Sequence, residues 1–186
     1  IKHEVKFATD KSSILRNKLK VKVEKEGRVF EERKFHQLCE KTKGNLLAIA
    51  PTGAGKTEAA LLWATNVEPS KIIFLMPTMV TSNSLYQRMS KYYFATREFG
   101  LIHSGADTYF AQQSDWEQDN TFQDIRLELI RFRAFMAPVM VATVDQMLTS
   151  GFNIGAWCQK EWALVGSRVI FDEVHAYQSY TLGLIT

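Results

Sequence analysis

No apolar run in this 186-residue chain approaches the roughly 20 residues that a bilayer-spanning helix needs. Nor does it open like a secretory leader, since Lys2, Glu4 and Lys6 interrupt the pattern at once. Cysteine is scarce. Cys39 and Cys158 stand far apart, in no metal-ligand spacing, and read as two reduced thiols of a cytoplasmic protein. There is no internal repeat and no low-complexity tract. What remains is a composition 46% hydrophobic and 23% charged, that of a globular domain of ordinary size without membrane attachment. The first residue is Ile1 rather than methionine, and Thr186 falls within an apolar pattern, as expected of a piece of something longer.

Net charge is also small, +3, but its distribution is uneven. Residues 1–43 carry 13 Lys/Arg against 7 Asp/Glu, whereas residues 44–186 carry 10 against 13. The basic segment suits either a phosphate backbone or a solvated amphipathic hairpin. From His103 to Ile125 there is no Lys or Arg, while Asp107, Asp115, Glu117, Asp119 and Asp124 are acidic. That stretch reads as a solvated loop or insertion turned away from nucleic acid.

Short apolar runs recur between loop signals: "LLAIA", "KIIFLMP", "FGLIH", "PVMVAT" and "RVIFD". Each is apolar on both faces, the signature of a buried parallel strand. Helical stretches lie between them at 56–66, 81–94, 125–135 and 144–150, giving an open α/β sheet flanked by helices. Upstream, Leu19, Val21 and Val23 alternate as a strand would. After Gly27 comes a helix with Phe35, Leu38 and Cys39 on one face, ended by Gly44 and Asn45.

"AIAPTGAGKTEAALLWA" then has a meaning. A strand, a glycine-containing loop and a helix follow one another with Lys-Thr at the helix start, the phosphate-loop arrangement, with Ala50 where its first glycine usually stands. Gly53 and Gly55 let the backbone of Thr52, Gly53, Ala54 and Gly55 turn its N–H groups toward phosphate oxygens. Lys56 reaches the outer phosphates of ATP, and the Thr57 hydroxyl is a ligand for Mg²⁺. "RVIFDEVHAY" supplies the hydrolytic partner. Asp172 ends the strand and holds Mg²⁺ through water, and Glu173 deprotonates the attacking water. His175 is either catalytic or a capping and packing histidine.

Asp-Glu-x-His after a phosphate loop resembles the superfamily 2 helicases and translocases. "MPTMVTSNSLYQRM" and "ATVDQML" resemble the two motifs in which these enzymes touch a nucleic-acid backbone, here through Pro77, Thr78, Thr81, Thr143 and Gln146. Helix starts at Thr81 and Thr143 are equally plain N-caps. "LIHS", "VATVDQML" and "FDEVHAY" taken with the phosphate loop resemble the CRISPR-associated helicase–nuclease of type I systems, from about Phe30 to Thr186. The resemblance implies a RecA-like ATP-binding lobe, 44–186, with the basic segment 1–43 packed on it. It also implies ATP-driven 3′-to-5′ movement on single-stranded DNA, recruitment by an RNA-guided surveillance complex, and cutting by an HD nuclease. Gln37 is either the adenine-reading glutamine of related helicases or a surface residue.

This chain departs from that pattern in places. His3, His36, His103 and His175 are scattered and none precedes an aspartate, so the nuclease centre lies outside this sequence. The second lobe's motifs, including its arginine, lie outside it too, and Gln178 stands where relatives often carry an acid. The fragment alone is expected to bind Mg·ATP weakly and hydrolyse it hardly at all. Rival readings are an RNA helicase, or a non-motor ATP-binding module, which would not need Glu173.

Overall fold

The computed structural model describes residues 33–67, 71–94, 98–112 and 122–185, with Asn17, Lys18, Lys20, Val21 and Glu24. It divides into two compact units, Ile1–Ser70 and Lys71–Thr186.

In the second unit a four-stranded sheet is built from β1 (Lys71–Met76), β2 (Phe99–Ile102), β3 (Val139–Thr143) and β4 (Ser167–Phe171). Their order is β2-β3-β1-β4 and every pairing is parallel. These are the four downstream runs read as strands. β1, β2 and β3 are buried along their whole length, as strands covered on both faces must be. Phe74, Phe99, Phe110, Phe132 and Phe135 fill the core. β2 crosses it where only glycine fits, since a Cβ on Gly100 would lie 2.5 Å from Met140 Sδ and 2.7 Å from Phe132 Cδ1.

Within the second unit, helices flank the sheet. Those of the second unit are α3 (Met79–Tyr92), α4 (Ala106–Ala111), α5 (Phe122–Arg133), α6 (Val144–Gly151), α7 (Trp157–Leu164) and α8 (Ser179–Ile185). The first unit holds α1 (Lys34–Lys41) and α2 (Lys56–Ala64), packed against each other.

Several expectations do not hold. "LLAIA" forms no strand: residues 45–50 are irregular, with Leu47 85% and Ile49 90% exposed. Among the described residues no strand pairs with it, and apolar composition alone does not make a strand. The alternation at Leu19, Val21 and Val23 fares no better where it can be followed. Val21 is helical with Lys20, while Leu19 and Val23 lie outside the described residues. On α1 the buried positions are His36 and Cys39, and Leu38 faces outward. The acidic stretch contains α4, whose Ala106 and Phe110 are buried; 113–121 lie outside the described residues. α7 escaped the sequence pattern because its apolar residues do not share a face: Trp162 is 81% exposed while Lys160 is buried.

Candidate functional site

The phosphate-loop residues belong to the first unit. Gly53 (φ +79°) and Gly55 (φ +81°) adopt the left-handed conformation that side chains resist, so the turn needs glycine at both places. Gly55 is also the N-cap of α2, which begins at Lys56. Thr52 and Gly53 are exposed, Ala54, Gly55 and Lys56 half-buried, and Thr57 buried. Lys56 Nζ donates to Ala50 O (3.2 Å) and Ala54 N–H to Pro51 O (3.2 Å). Both donors point into the loop, where a phosphate would replace these carbonyls with its own oxygens. Arg33 and His36 contact the loop from α1, although neither stood out in the sequence: Arg33 Nη1 donates to Gly53 O (2.9 Å) and His36 Nε2 to Gly55 O (3.2 Å). Gln37 is half-buried on the same helix.

The carboxylates belong to the second unit. Because its strands are parallel, the segments after all four emerge at one edge, where ligands of open α/β sheets bind. Asp172 follows β4, its N–H donating to Leu75 O (3.0 Å) on central β1. Asp172 Oδ1 accepts from Glu173 N–H (2.9 Å), and Glu173 sits at φ 50°, ψ 44°. A glutamate held in that region is strained, and such strain clusters at functional sites. His175 is exposed in the 3₁₀ turn Val174–Ala176.

Tyr177 anchors this turn. It is buried and donates its hydroxyl to Leu75 O (2.8 Å), the same carbonyl that Asp172 uses. Burial, then the charges of Asp172 and Glu173, push its phenol well above the usual range. It was legible only as the last letter of "DEVHAY".

At the same edge, Thr78 caps α3 and forms a reciprocal capping box with Thr81, bonded Thr81 N–H to Thr78 Oγ1 (3.2 Å) and Thr78 N–H to Thr81 Oγ1 (3.3 Å). The cap is therefore Thr78, immediately after "MP", rather than Thr81. Pro77 is half-buried beside it. Thr143 stands at the N-cap position of α6 without a side-chain capping bond and is only 4% exposed, so its hydroxyl is not on the surface as a backbone contact would require. Gln146 is half-buried, and its carbonyl accepts from Lys160 Nζ (2.7 Å), which also donates to Thr149 Oγ1 (3.1 Å). Burial lowers the pKa of Lys160, opposed by Asp145. His103 ties α3 to the N-cap of α4. Gly105 N–H donates to its Nδ1 (3.1 Å), so Nε2 carries the proton and donates to Asn83 Oδ1 (2.8 Å). Burial lowers the pKa of His103, again opposed by Asp145.

The first unit thus carries a glycine loop before a helix, and the second an Asp-Glu turn at the carboxyl edge of a parallel sheet. The family model for DEAD/DEAH box helicases matches residues 31–183. The chain belongs to the DEAD/DEAH box helicase family. Among curated proteins, this helicase domain is 35% identical over 161 residues to a Methanocaldococcus jannaschii protein carrying the name CRISPR-associated nuclease/helicase Cas3, covering 82% of this chain and 22% of the relative. It is 31% identical over 156 residues to CRISPR-associated endonuclease/helicase Cas3 of Escherichia coli, covering 73% and 17%. The chain thus spans about a fifth of the length of the curated relatives it matches. The crystal structure of T. fusca Cas3 with AMPPNP superposes with a TM-score of 0.63 at 27% identity, covering 82% of this chain and 18% of that one. The sheet and this likeness make the helicase domain a RecA-like α/β fold. No described helix is long and apolar enough to cross a membrane.

Proposed function

We propose that the chain is the ATP-binding lobe of a single-stranded DNA translocase acting in cytoplasmic type I CRISPR interference. The observation that supports this best is Glu173, strained at φ 50° and tied to Asp172 on the carboxyl edge of the sheet of a DEAD/DEAH helicase domain. Such a carboxylate has a task in hydrolysis and none in passive nucleotide binding. We take 44–186 as the lobe and 1–43 as a basic segment packed on it.

Lys56 and the N–H groups of 52–57 hold the phosphates by charge and hydrogen bonding, and Gln37 reads the adenine. Thr57 and Asp172 offer only oxygen ligands, which suits magnesium; when bound, the ion offsets the charge of the outer phosphates. Glu173 takes the proton of the attacking water, with His175 beside it in the same turn. Pro77, Thr78, Thr81 and Gln146 face the nucleic-acid backbone, with Thr143 contributing through the helix start where it stands. An RNA-guided surveillance complex delivers the strand, and an HD nuclease outside this chain cuts it.

The test is steady-state ATPase of the intact helicase. Single-stranded DNA should stimulate it more than RNA of the same sequence. Glu173→Gln should keep ATP bound while turnover falls about 10²- to 10⁴-fold, the range for loss of a general base. Full turnover in that variant, or equal stimulation by RNA, would overturn the reading.

A further inference from the structure

The phosphate loop is gripped from outside by one short helix. Arg33, at the N-cap of α1, and His36, in its first turn, stand one turn apart and reach alternate glycines of the loop. Their donors meet Gly53 O at 2.9 Å and Gly55 O at 3.2 Å. A carbonyl only accepts, so Nε2 of His36 carries the proton in this contact. The ring lies against the loop itself: it is 9% exposed, and a Cβ on Gly55 would come within 2.6 Å of Nε2. The other end of α1 is pinned to α2. Asn66 Nδ2 donates to Glu40 O (2.7 Å) and Thr42 O (2.6 Å), and Trp63 Nε1 to Gly44 O (3.0 Å). Secured at its far end, α1 can hold the loop still.

The carbonyl orientation matters because C=O and N–H point oppositely across a trans peptide. Fixing Gly53 O and Gly55 O outward therefore aims the N–H groups of Ala54 and Lys56 inward. Glycine offers little resistance to rotation of its peptides, and a rotated peptide would present a carbonyl oxygen to a phosphate oxygen, two negative ends in contact. Gly55 O already accepts from Ala59 N–H (2.9 Å) within α2, so His36 occupies its second lone pair, whereas Gly53 O takes its bond from Arg33.

We propose that Arg33 and His36 are positioning residues of the phosphate cradle, holding the Gly53 and Gly55 carbonyls outward so that the loop's N–H groups face the phosphates. This rests on the reading of residues 51–57 as that cradle. It assigns them no contact with the nucleotide.

The experiment is calorimetric titration of ADP into the full 186-residue chain, with a thermal melt of every variant. His36→Phe keeps a ring but loses the donor; His36→Gln returns an N–H donor; Arg33→Met acts on an exposed side chain and spares the core. His36→Phe and Arg33→Met should each weaken ADP binding about 5- to 10-fold, the worth of one such hydrogen bond, while His36→Gln stays within about twofold of wild type. Where the Phe variant melts before titration, Arg33→Met decides. Wild-type affinity in the donor-less variants that fold, or His36→Gln binding as weakly as His36→Phe, would overturn the proposal. Lys56→Ala separates the two levels. If it leaves ADP binding unchanged, the cradle reading itself fails. If it weakens binding while Arg33 and His36 variants do not, only the brace fails.

Discussion

The two turns proposed to bind and hydrolyse ATP are held in different ways. The Asp172–Tyr177 turn grows out of a strand and is anchored on Leu75 O, in the middle of a sheet whose central strand is wholly buried. The Gly53–Gly55 turn follows six residues that form no strand, and side chains from one eight-residue helix hold it. The first turn takes its rigidity from the packed sheet to which it is bonded, and the second from hydrogen bonds to the side chains of one short helix. Packing tolerates little change in volume, whereas a bonded loop tolerates volume changes nearby but not the loss of a donor.

Removing volume from the sheet gives the largest expected stability effect. Phe74→Ala, at the centre of β1, empties a fully buried ring and should cost about 3–5 kcal/mol in a urea melt, enough to threaten folding of the unit. A cost below 1 kcal/mol would show that the sheet is not the rigid partner in the comparison.

Next comes a charge inside that packing. Lys71 opens β1 buried, with Nζ bonded to Phe135 O, and burial together with Arg131 lowers its pKa to about 8. The unfolded chain keeps this proton until near the ordinary lysine value of 10.5, while the folded chain releases it near 8. Between those values the unfolded state binds more protons, so stability rises with pH, with a slope of up to about 1.4 kcal/mol per unit; below 8 the cost of burying the charge is fully present. Lys71→Met should remove that rise. Parallel melts of both proteins at pH 7.5 and 9.5 check it, and equal pH dependence would deny the burial.

The four strands of the second unit and the helices at 56–64 and 144–151 were legible because each is fixed by local composition: apolar on both faces, or bounded by cap residues. The Lys-Thr and Asp-Glu pairs were legible because their chemistry fixes residue type. Arg33, His36 and Tyr177 were not, since each acts through a contact distant in sequence, 102 residues in the case of Tyr177 and Leu75. "LLAIA" misled for a related reason. A strand is a property of two chains, and only one of them is written in the run.

Tyr177→Phe tests the anchor of the carboxylate turn at smaller cost. Leu75 O keeps the Asp172 N–H, so no acceptor is left bare, and the loss should be about 0.5–1.5 kcal/mol by urea melt. No measurable loss would mean that the ring, which the variant keeps, and not the hydroxyl bond fixes the turn.

The smallest effect is expected on the other side of the comparison. Ile49 stands two residues before Pro51 and is 90% exposed, and Leu47, two residues earlier, is 85% exposed. An apolar side chain already in water has no transfer energy left to lose, so Ile49→Ser in the 186-residue chain should change stability by less than about 0.5 kcal/mol. Affinity for ADP should not move either, because the loop is held through Arg33 and His36 rather than through the run that precedes it. A melt and a titration on one variant read both quantities. A cost of about 2 kcal/mol or more would show that Ile49 is packed in solution. The phosphate loop would then rest on buried apolar contacts as the carboxylate turn does, and the contrast between the two turns would disappear.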